Sequence, residues 1–343
     1  MESFMSLGPG RLSPIMNRSI IQRPKHYVTA ERAEYQAELL ANRLKKRYKH
    51  FAKRYRRWNI EAFRLYDRDI PEIRAVVDWY AGHLVIGEYV RTQTGPEWLP
   101  RMARAAGEAL NVPKEKIFVK RRRTKSGSGA RYGASKAKGQ RFSVSEGDMR
   151  FWVSLGGALD TGLFSDHRHT RTLVRNMAGG KDFLNLFAYT GTFSCAAALG
   201  GARSIVTVDR SSTYLDWAKD NFKLNAINNA NYAFVKADTE EYLERLQAGK
   251  KRFTLAFVDP PSFSQRRGAC GVFDINTHHP ELLEKVFSVM APGATVIFST
   301  NHQRFDPKLG RLKVKKIEEL TPKTIPEDYF NKLVHRCWKI ELP

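Results

Sequence analysis

Apolar and polar positions follow two rhythms along this chain, and the change from one to the other divides it. Between residues 30 and 57, Ala33, Ala37, Leu40, Leu44, Tyr48 and Phe51 recur with a helical period, which predicts one long amphipathic helix. Short runs at 62–66, 74–79 and 84–89 read as strands broken by turn residues such as Asp67, Asp69 and Pro71. A helix at 97–110 and a strand at 116–120 complete a small α+β unit. Strands at 142–146 and 149–154 form a hairpin, followed by a helix ending near residue 176. From residue 182 the pattern is strict alternation: buried strands at 183–187, 204–209, 233–236, 253–259 and 294–299, separated by helices at 192–199, 212–225, 240–247 and 280–290. Such alternation predicts an α/β fold with an open, doubly wound parallel sheet. Two last strands, around 311–318 and 335–341, are too close for a right-handed crossover, so they predict a hairpin that places one antiparallel strand in the sheet.

The chemistry concentrates where the first parallel strand turns into its helix. Residues 183–209, FLNLFAYTGTFSCAAALGGARSIVTVD, read as strand, tight turn, helix and strand, with Gly191 free to take positive φ and Asp209 at the tip of the second strand. A carboxylate at that tip is where a ribose diol is held. The turn AYTGTF has one glycine where a pyrophosphate site wants GxGxxG, and no P-loop lysine follows. A ribose without a phosphate points to S-adenosylmethionine. Asp209 would hold the ribose hydroxyls, and Asp238, ending the third strand, the adenine amine or its neighbouring backbone; the competing reading of each is a plain strand-end turn residue. The cofactor set is Phe164, Asn185, Phe187, Tyr189, Thr190, Gly191, Asp209, Ser211, Asp238 and Asp259.

The fourth strand ends on Asp259-Pro260-Pro261-Ser262-Phe263. Two prolines fix the backbone past the strand tip, so Asp259 and the carbonyls project rigidly into the crevice, while Phe263 can stack on a flat base. Asp259, Pro260, Pro261 and Phe263 are therefore the catalytic candidates, with Asn301 or His302 reading the base edge. For His302, an ordinary surface histidine is the competing reading. The stretch 158–168, DTGLFSDHR with its flanks, reads as a lid or pocket wall, with a helix cap at Ser165 or Asp166 as the plain alternative.

Charge adds the partner. The 343 residues carry 58 Lys and Arg against 35 Asp and Glu, a formal net charge of +23, which calls for a polyanion, most simply nucleic acid. The basic residues cluster: Arg43, Lys46, Arg47 and Lys53 on the first helix, and Arg121, Arg122, Arg123, Lys125 and Arg131 in the acid-free stretch 121–141, read as a mobile loop that contacts RNA. Cys195, Cys270 and Cys337 show no paired or metal-ligand spacing, so a reducing, cytoplasmic setting without a metal site is expected. No apolar run is long enough to span a bilayer.

These motifs, with FVDPPSFS, DTGLFSDHR and the opening NRLKKRYKHF and RLYDRDIPEIRAVVDWY, together resemble the bacterial 23S rRNA large-subunit methyltransferases from about residue 30 to 343. The likeness is to the guanine-N7 branch, which elsewhere forms the C-terminal half of a bifunctional enzyme that also makes N2-methylguanosine; here it would stand alone. The resemblance implies a class I methyltransferase fold and methyl transfer from S-adenosylmethionine to a guanine in domain V of 23S rRNA, near the peptidyl-transferase centre, as free RNA or in a large-subunit assembly intermediate. A sister family in the same fold forms 5-methylcytosine with a cysteine in the stretch matching 298–301, where this chain has Thr300. That reaction is the alternative, and a non-catalytic rRNA-binding assembly factor is a further one. The expected organisation is an extension at 1–29, a basic α+β RNA-binding domain at 30–141, a hairpin and linker at 142–164, and the methyltransferase domain at 165–343.

Overall fold

The computed structural model describes residues 28–89, 94–122, 141–157, 161–265, 271–302, 304–329 and 333–343. Most of the 1–29 extension and residues 123–140 of the basic stretch lie outside them.

Helix α1 (Ala30–Arg57) starts on Thr29, whose hydroxyl accepts the N–H of Arg32 at 3.2 Å. Its apolar stripe packs on one face of a four-stranded sheet made of β1 (Ala62–Asp67), β2 (Ala75–Tyr80), β3 (His83–Tyr89) and β4 (Ile117–Arg122). The first three strands are antiparallel neighbours, and α2 (Trp98–Leu110) crosses over to bring β4 parallel to β3. Helices α1 and α2 share one core, sealed by a buried bond from Trp98 Nε1 to Gln36 Oε1 at 2.7 Å.

The sheet's other face meets a hairpin, β5 (Arg141–Glu146) and β6 (Met149–Ser154). Val144, Met149, Phe151 and Val153 are buried between Ala62, Tyr80 and Val85 on one side and Cys195, Ala196 and Phe222 on the other. The segment between the two units is thus a wedge packed into both. Its edge is hydrogen-bonded by the α5 side chains Asn221 and Asn225, which accept the N–H groups of Trp152 and Arg150.

After α3 (Arg168–Met177) the alternation runs β7 (Asp182–Leu186), α4 (Thr192–Leu199), β8 (Ser204–Asp209), α5 (Ser212–Leu224), β9 (Tyr232–Lys236), α6 (Thr239–Gln247) and β10 (Phe253–Val258). A small hairpin, β11 (Phe263–Gln265) with β12 (Val272–Asp274), precedes α7 (Ile275–Phe287), β13 (Met290–Thr300), β14 (Lys316–Glu319), α8 (Thr321–Thr324) and β15 (Arg336–Glu341). Seven strands form one sheet in the order β14-β15-β13-β10-β7-β8-β9, and β15 is antiparallel to both its neighbours. The expected doubly wound sheet with an antiparallel strand in its terminal hairpin is the one observed. Side chains alternate between faces: Leu184 and Leu186 join α6 and α7, while Phe183 joins α3 and α4.

Four expectations need correction. Helix α7 begins at Ile275, not Pro280, because Asp274 caps it by accepting the N–H of Asn276 at 2.9 Å. Pro280 sits in the second turn, where its missing N–H removes one ladder bond. The strand expected at 311–318 is confined to Lys316–Glu319. Neither the β11–β12 hairpin nor the short α8 was foreseen. Among the described residues, no helix is long and apolar enough to cross a membrane.

Candidate active site

The order of the sheet leaves its crevice at the carboxyl ends of β7, β8 and β10. The loop after β7 is tightly wound: Phe187, Tyr189 and Gly191 all have positive φ, of 55°, 52° and 70°. Two non-glycine residues in this region store strain that the surroundings must fix. Asp209 is one fixture. Its Oδ2 accepts the N–H of Tyr189 and its Oδ1 that of Ser211, both at 2.8 Å. Burial raises the Asp209 pKa, and these two N–H groups work against that rise. Gly162 is the other fixture. Its N–H donates to the Tyr189 hydroxyl at 3.0 Å, and its carbonyl accepts from Thr190 Oγ1 at 2.6 Å. A Cβ on Gly162 would lie 2.2 Å from the Trp217 ring. The glycine therefore joins the 161–164 segment to the loop, and Phe164, 42% exposed, comes to rest 5.1 Å from the Tyr189 ring.

At Gly191 the open space read from the sequence belongs to the fold: an added Cβ would meet Ala218 Cβ of α5 at 2.6 Å. Asn185 is buried within β7 and donates to Ser194 Oγ at 2.8 Å, while its Oδ1 has no protein partner. Ser211 caps α5 by accepting the Tyr214 N–H. Asp238 caps α6 through Oδ1 and lies 3.6 Å from Arg210 through Oδ2. The turn-residue reading of Asp238 thus holds as a structural fact alongside any ligand role. These donors and acceptors suit a ribose and a base. They include a carboxylate at the diol position and no anion cradle.

Asp259 stands at the end of β10 with 26% of its side chain open to solvent. Burial pushes its pKa up to about 7, with Asp166 adding to the rise and His335 and Ser299 opposing it. Beside it lie residues of the DTGLFSDHR motif. His167 Nε2 is 3.7 Å from Asp259 Oδ2, and the His167 ring stacks on His335 with centroids 4.2 Å apart. Asp166, His167 and His335 offer ligand atoms within 4.8 Å of one another, a spacing a metal ion could use, but both His335 nitrogens are already hydrogen-bonded, to Asp166 and Thr324. Sequence reading reached Asp166 and His167 as pocket wall and missed His335, which has no local motif.

Beyond Asp259, Phe263 is 53% exposed, and its ring meets that of His302 edge-on at 5.8 Å. Ser262 Oγ lies 3.0 Å from Asn301 Oδ1, so the loops after β10 and β13 are held together at the crevice mouth. Thr300 is buried, and its hydroxyl accepts the His302 N–H. Cys195 and Cys337 are fully buried and their thiols are pushed up by burial, which makes them poor nucleophiles; Cys270 lies outside the described residues.

The basic candidates separate. Arg43 binds Asp69 at 2.5 Å, and Arg47 donates to the Asp328 carbonyl while lying over the Phe51 ring. Lys46 and Lys53 are exposed, in line with Lys49 and Arg57 along one side of α1. Arg121 is tied to the Pro96 carbonyl, and Arg122 is described as to its backbone only. Arg123, Lys125 and Arg131 lie outside the described residues.

A family model described as S-adenosylmethionine-dependent methyltransferase matches residues 63–324. A Neisseria meningitidis protein named ribosomal RNA large subunit methyltransferase K is 38% identical over 331 residues, covering 94% of this chain and 93% of its own length. Ribosomal RNA large subunit methyltransferase K/L of Methylococcus capsulatus is 40% identical over 318 residues; the match takes in 90% of this chain and 43% of that protein. A solved structure described as a methyltransferase, SMU.776, in complex with SAH, superposes with a TM-score of 0.71 at 22% identity, covering 90% of this chain and 82% of that one. The resemblance read from the motifs is borne out. The chain belongs to the S-adenosylmethionine-dependent methyltransferases, in the family of ribosomal RNA large subunit methyltransferase K.

Proposed function

We propose that this enzyme moves the methyl group of S-adenosylmethionine to N7 of a guanine in large-subunit ribosomal RNA, in the cytoplasm, on free RNA or an assembling subunit. The observation that carries this reading is the end of β10: a buried carboxyl open on one side, two prolines, and a half-exposed phenylalanine packed against nothing that requires it there. The names of the relatives, all acting on large-subunit rRNA, support the substrate class.

S-adenosylmethionine, when bound, supplies an electrophilic methyl on a sulfonium. Asp209 would hold its ribose, with Phe164 and Tyr189 beside it and Asp238 near the adenine end. The task left to the protein is placement, because guanine N7 already carries an in-plane lone pair and loses no proton. Aligned reactants gain on the order of 7–11 kcal/mol over free ones. Phe263 stacks on the extruded base, Asp259 and the Pro260-Pro261 carbonyls take hydrogen bonds from its amino edge, and Asn301 or His302 closes the other side. Extrusion costs a few kcal/mol, which phosphate contacts along α1 offset.

Neither buried cysteine suits the addition to a pyrimidine ring that 5-methylcytosine formation needs. The test is incubation of the purified chain with labelled S-adenosylmethionine and large-subunit rRNA, followed by nucleoside digestion. Label in 7-methylguanosine is expected. Label in 5-methylcytidine, or none, would overturn the reading.

A further inference from the structure

His335, just before β15, is buried and fully hydrogen-bonded. Its Nε2 lies 3.1 Å from Thr324 Oγ1, and the Thr324 hydroxyl donates to the Thr321 carbonyl at 3.3 Å. Thr324 can then only accept from His335, so Nε2 carries a hydrogen. Its Nδ1 lies 3.0 Å from Asp166 Oδ2. Burial works against ionising Asp166, but His167, His335 and Arg64 together outweigh it and hold that carboxyl well below the usual range. An ionised carboxylate only accepts, so Nδ1 donates as well and His335 is an imidazolium paired with Asp166.

That charge lies flat on the next ring. The His167 and His335 planes are 13° apart. Two stacked, buried imidazoles do not both carry a proton: burial, then His335, pushes His167 down to about 3. The neutral His167 presents Nε2 to Asp259 Oδ2 at 3.7 Å and to Asp166 Oδ2 at 3.9 Å, and its Nδ1 lies 3.4 Å from Thr170 Oγ1. The other groups that bear on this cluster are Arg64 from β1, Arg171 from α3, Ser299 from β13 and Cys337 from β15. Without His335, the Asp166 anion would stand uncompensated beside Asp259.

We propose that His335 is a positioning residue for the methyl transfer: paired with Asp166 and laid on the His167 ring, it keeps the Asp259 carboxyl ionised toward the substrate base. This rests on the reading of Asp259 as a base-facing group. Removing the imidazolium removes an influence that lowers the Asp259 pKa, so the carboxylate forms only at higher pH.

The experiment is single-turnover methylation of rRNA by the full chain across neutral pH, with S-adenosylmethionine affinity measured in parallel. The wild-type rate should rise with pH through about 7 and then level off. His335→Gln should move this rise about one pH unit alkaline, a loss of about tenfold at neutral pH that is recovered at higher pH, with cofactor affinity unchanged. Thr324→Val, which removes only the acceptor of Nε2, should shift it in the same direction and serves if His335→Gln does not fold. A uniform loss at every pH, or an unmoved rise, in the folded variant overturns the proposal. Asp259→Asn separates the two readings. If it is inactive while the His335 variant keeps the wild-type profile, the role of His335 alone falls; if it keeps wild-type rates, the base-facing reading falls and takes this one with it.

Discussion

Asp328 accepts from the Tyr55 hydroxyl at 2.9 Å, the Arg64 N–H at 2.8 Å and Arg168 Nη2 at 2.6 Å, all out of contact with solvent. Removing one partner of a buried ion pair strands the other, so Asp328→Ala should lose about 3–5 kcal/mol in denaturant unfolding. Phe263 is the opposite case, a large side chain that the fold does not bury. Phe263→Ala should leave stability unchanged and weaken RNA binding by about 1–3 kcal/mol, the worth of one stacked base, without affecting cofactor affinity in calorimetry. Residues of this second kind were legible in the sequence. Asp209, Asp259 and Phe263 announce themselves through a strand end and a few neighbours. His335 and Asp328 do not, because their partners Asp166 and Tyr55 lie 169 and 273 positions away and nothing local marks them.

At the scale of elements, the loop after β7 decides how the crevice is shaped. Gly191 combines a φ of 70° with a close approach of α4 to α5. Gly191→Ala should therefore cost about 1–3 kcal/mol in stability, from backbone strain and overpacking, and weaken S-adenosylmethionine binding in the same preparation. Asn221 extends the coupling: its Oδ1 accepts from Trp152 of the β5–β6 wedge and its Nδ2 donates to the Thr190 carbonyl of the loop at 2.9 Å. Strands and helices with a clean period were readable, and α1 and β8 fall on their expected bounds. The β11–β12 hairpin was not, since three-residue strands carry too short a pattern. Pro280 misled because proline favours a first turn, and the capping aspartate lay upstream of it.

For the whole molecule, the excess of positive charge and the fixed seat of α1 belong together. Tyr55 and Arg47 bind Asp328, and Arg168 at the head of α3 binds the same residue, so the basic helix is rigidly joined to the wall of the crevice. Lys46, Lys49, Lys53 and Arg57 are left on the outer side to meet phosphates. Replacing Lys46, Lys49 and Lys53 by alanine should weaken rRNA binding and flatten its dependence on salt, by about one unit of log–log slope per lost phosphate contact, with cofactor binding unchanged. The charge of +23 predicted such a surface; which arginines face outward could only follow from packing. The most direct measurement is nucleoside mass spectrometry of large-subunit rRNA from cells lacking this chain, complemented with the wild type or with Asp259→Asn. One 7-methylguanosine should disappear on deletion, return with the wild type and stay absent with the variant. Unchanged 7-methylguanosine in the deletion, or its return with Asp259→Asn, would contradict the assignment.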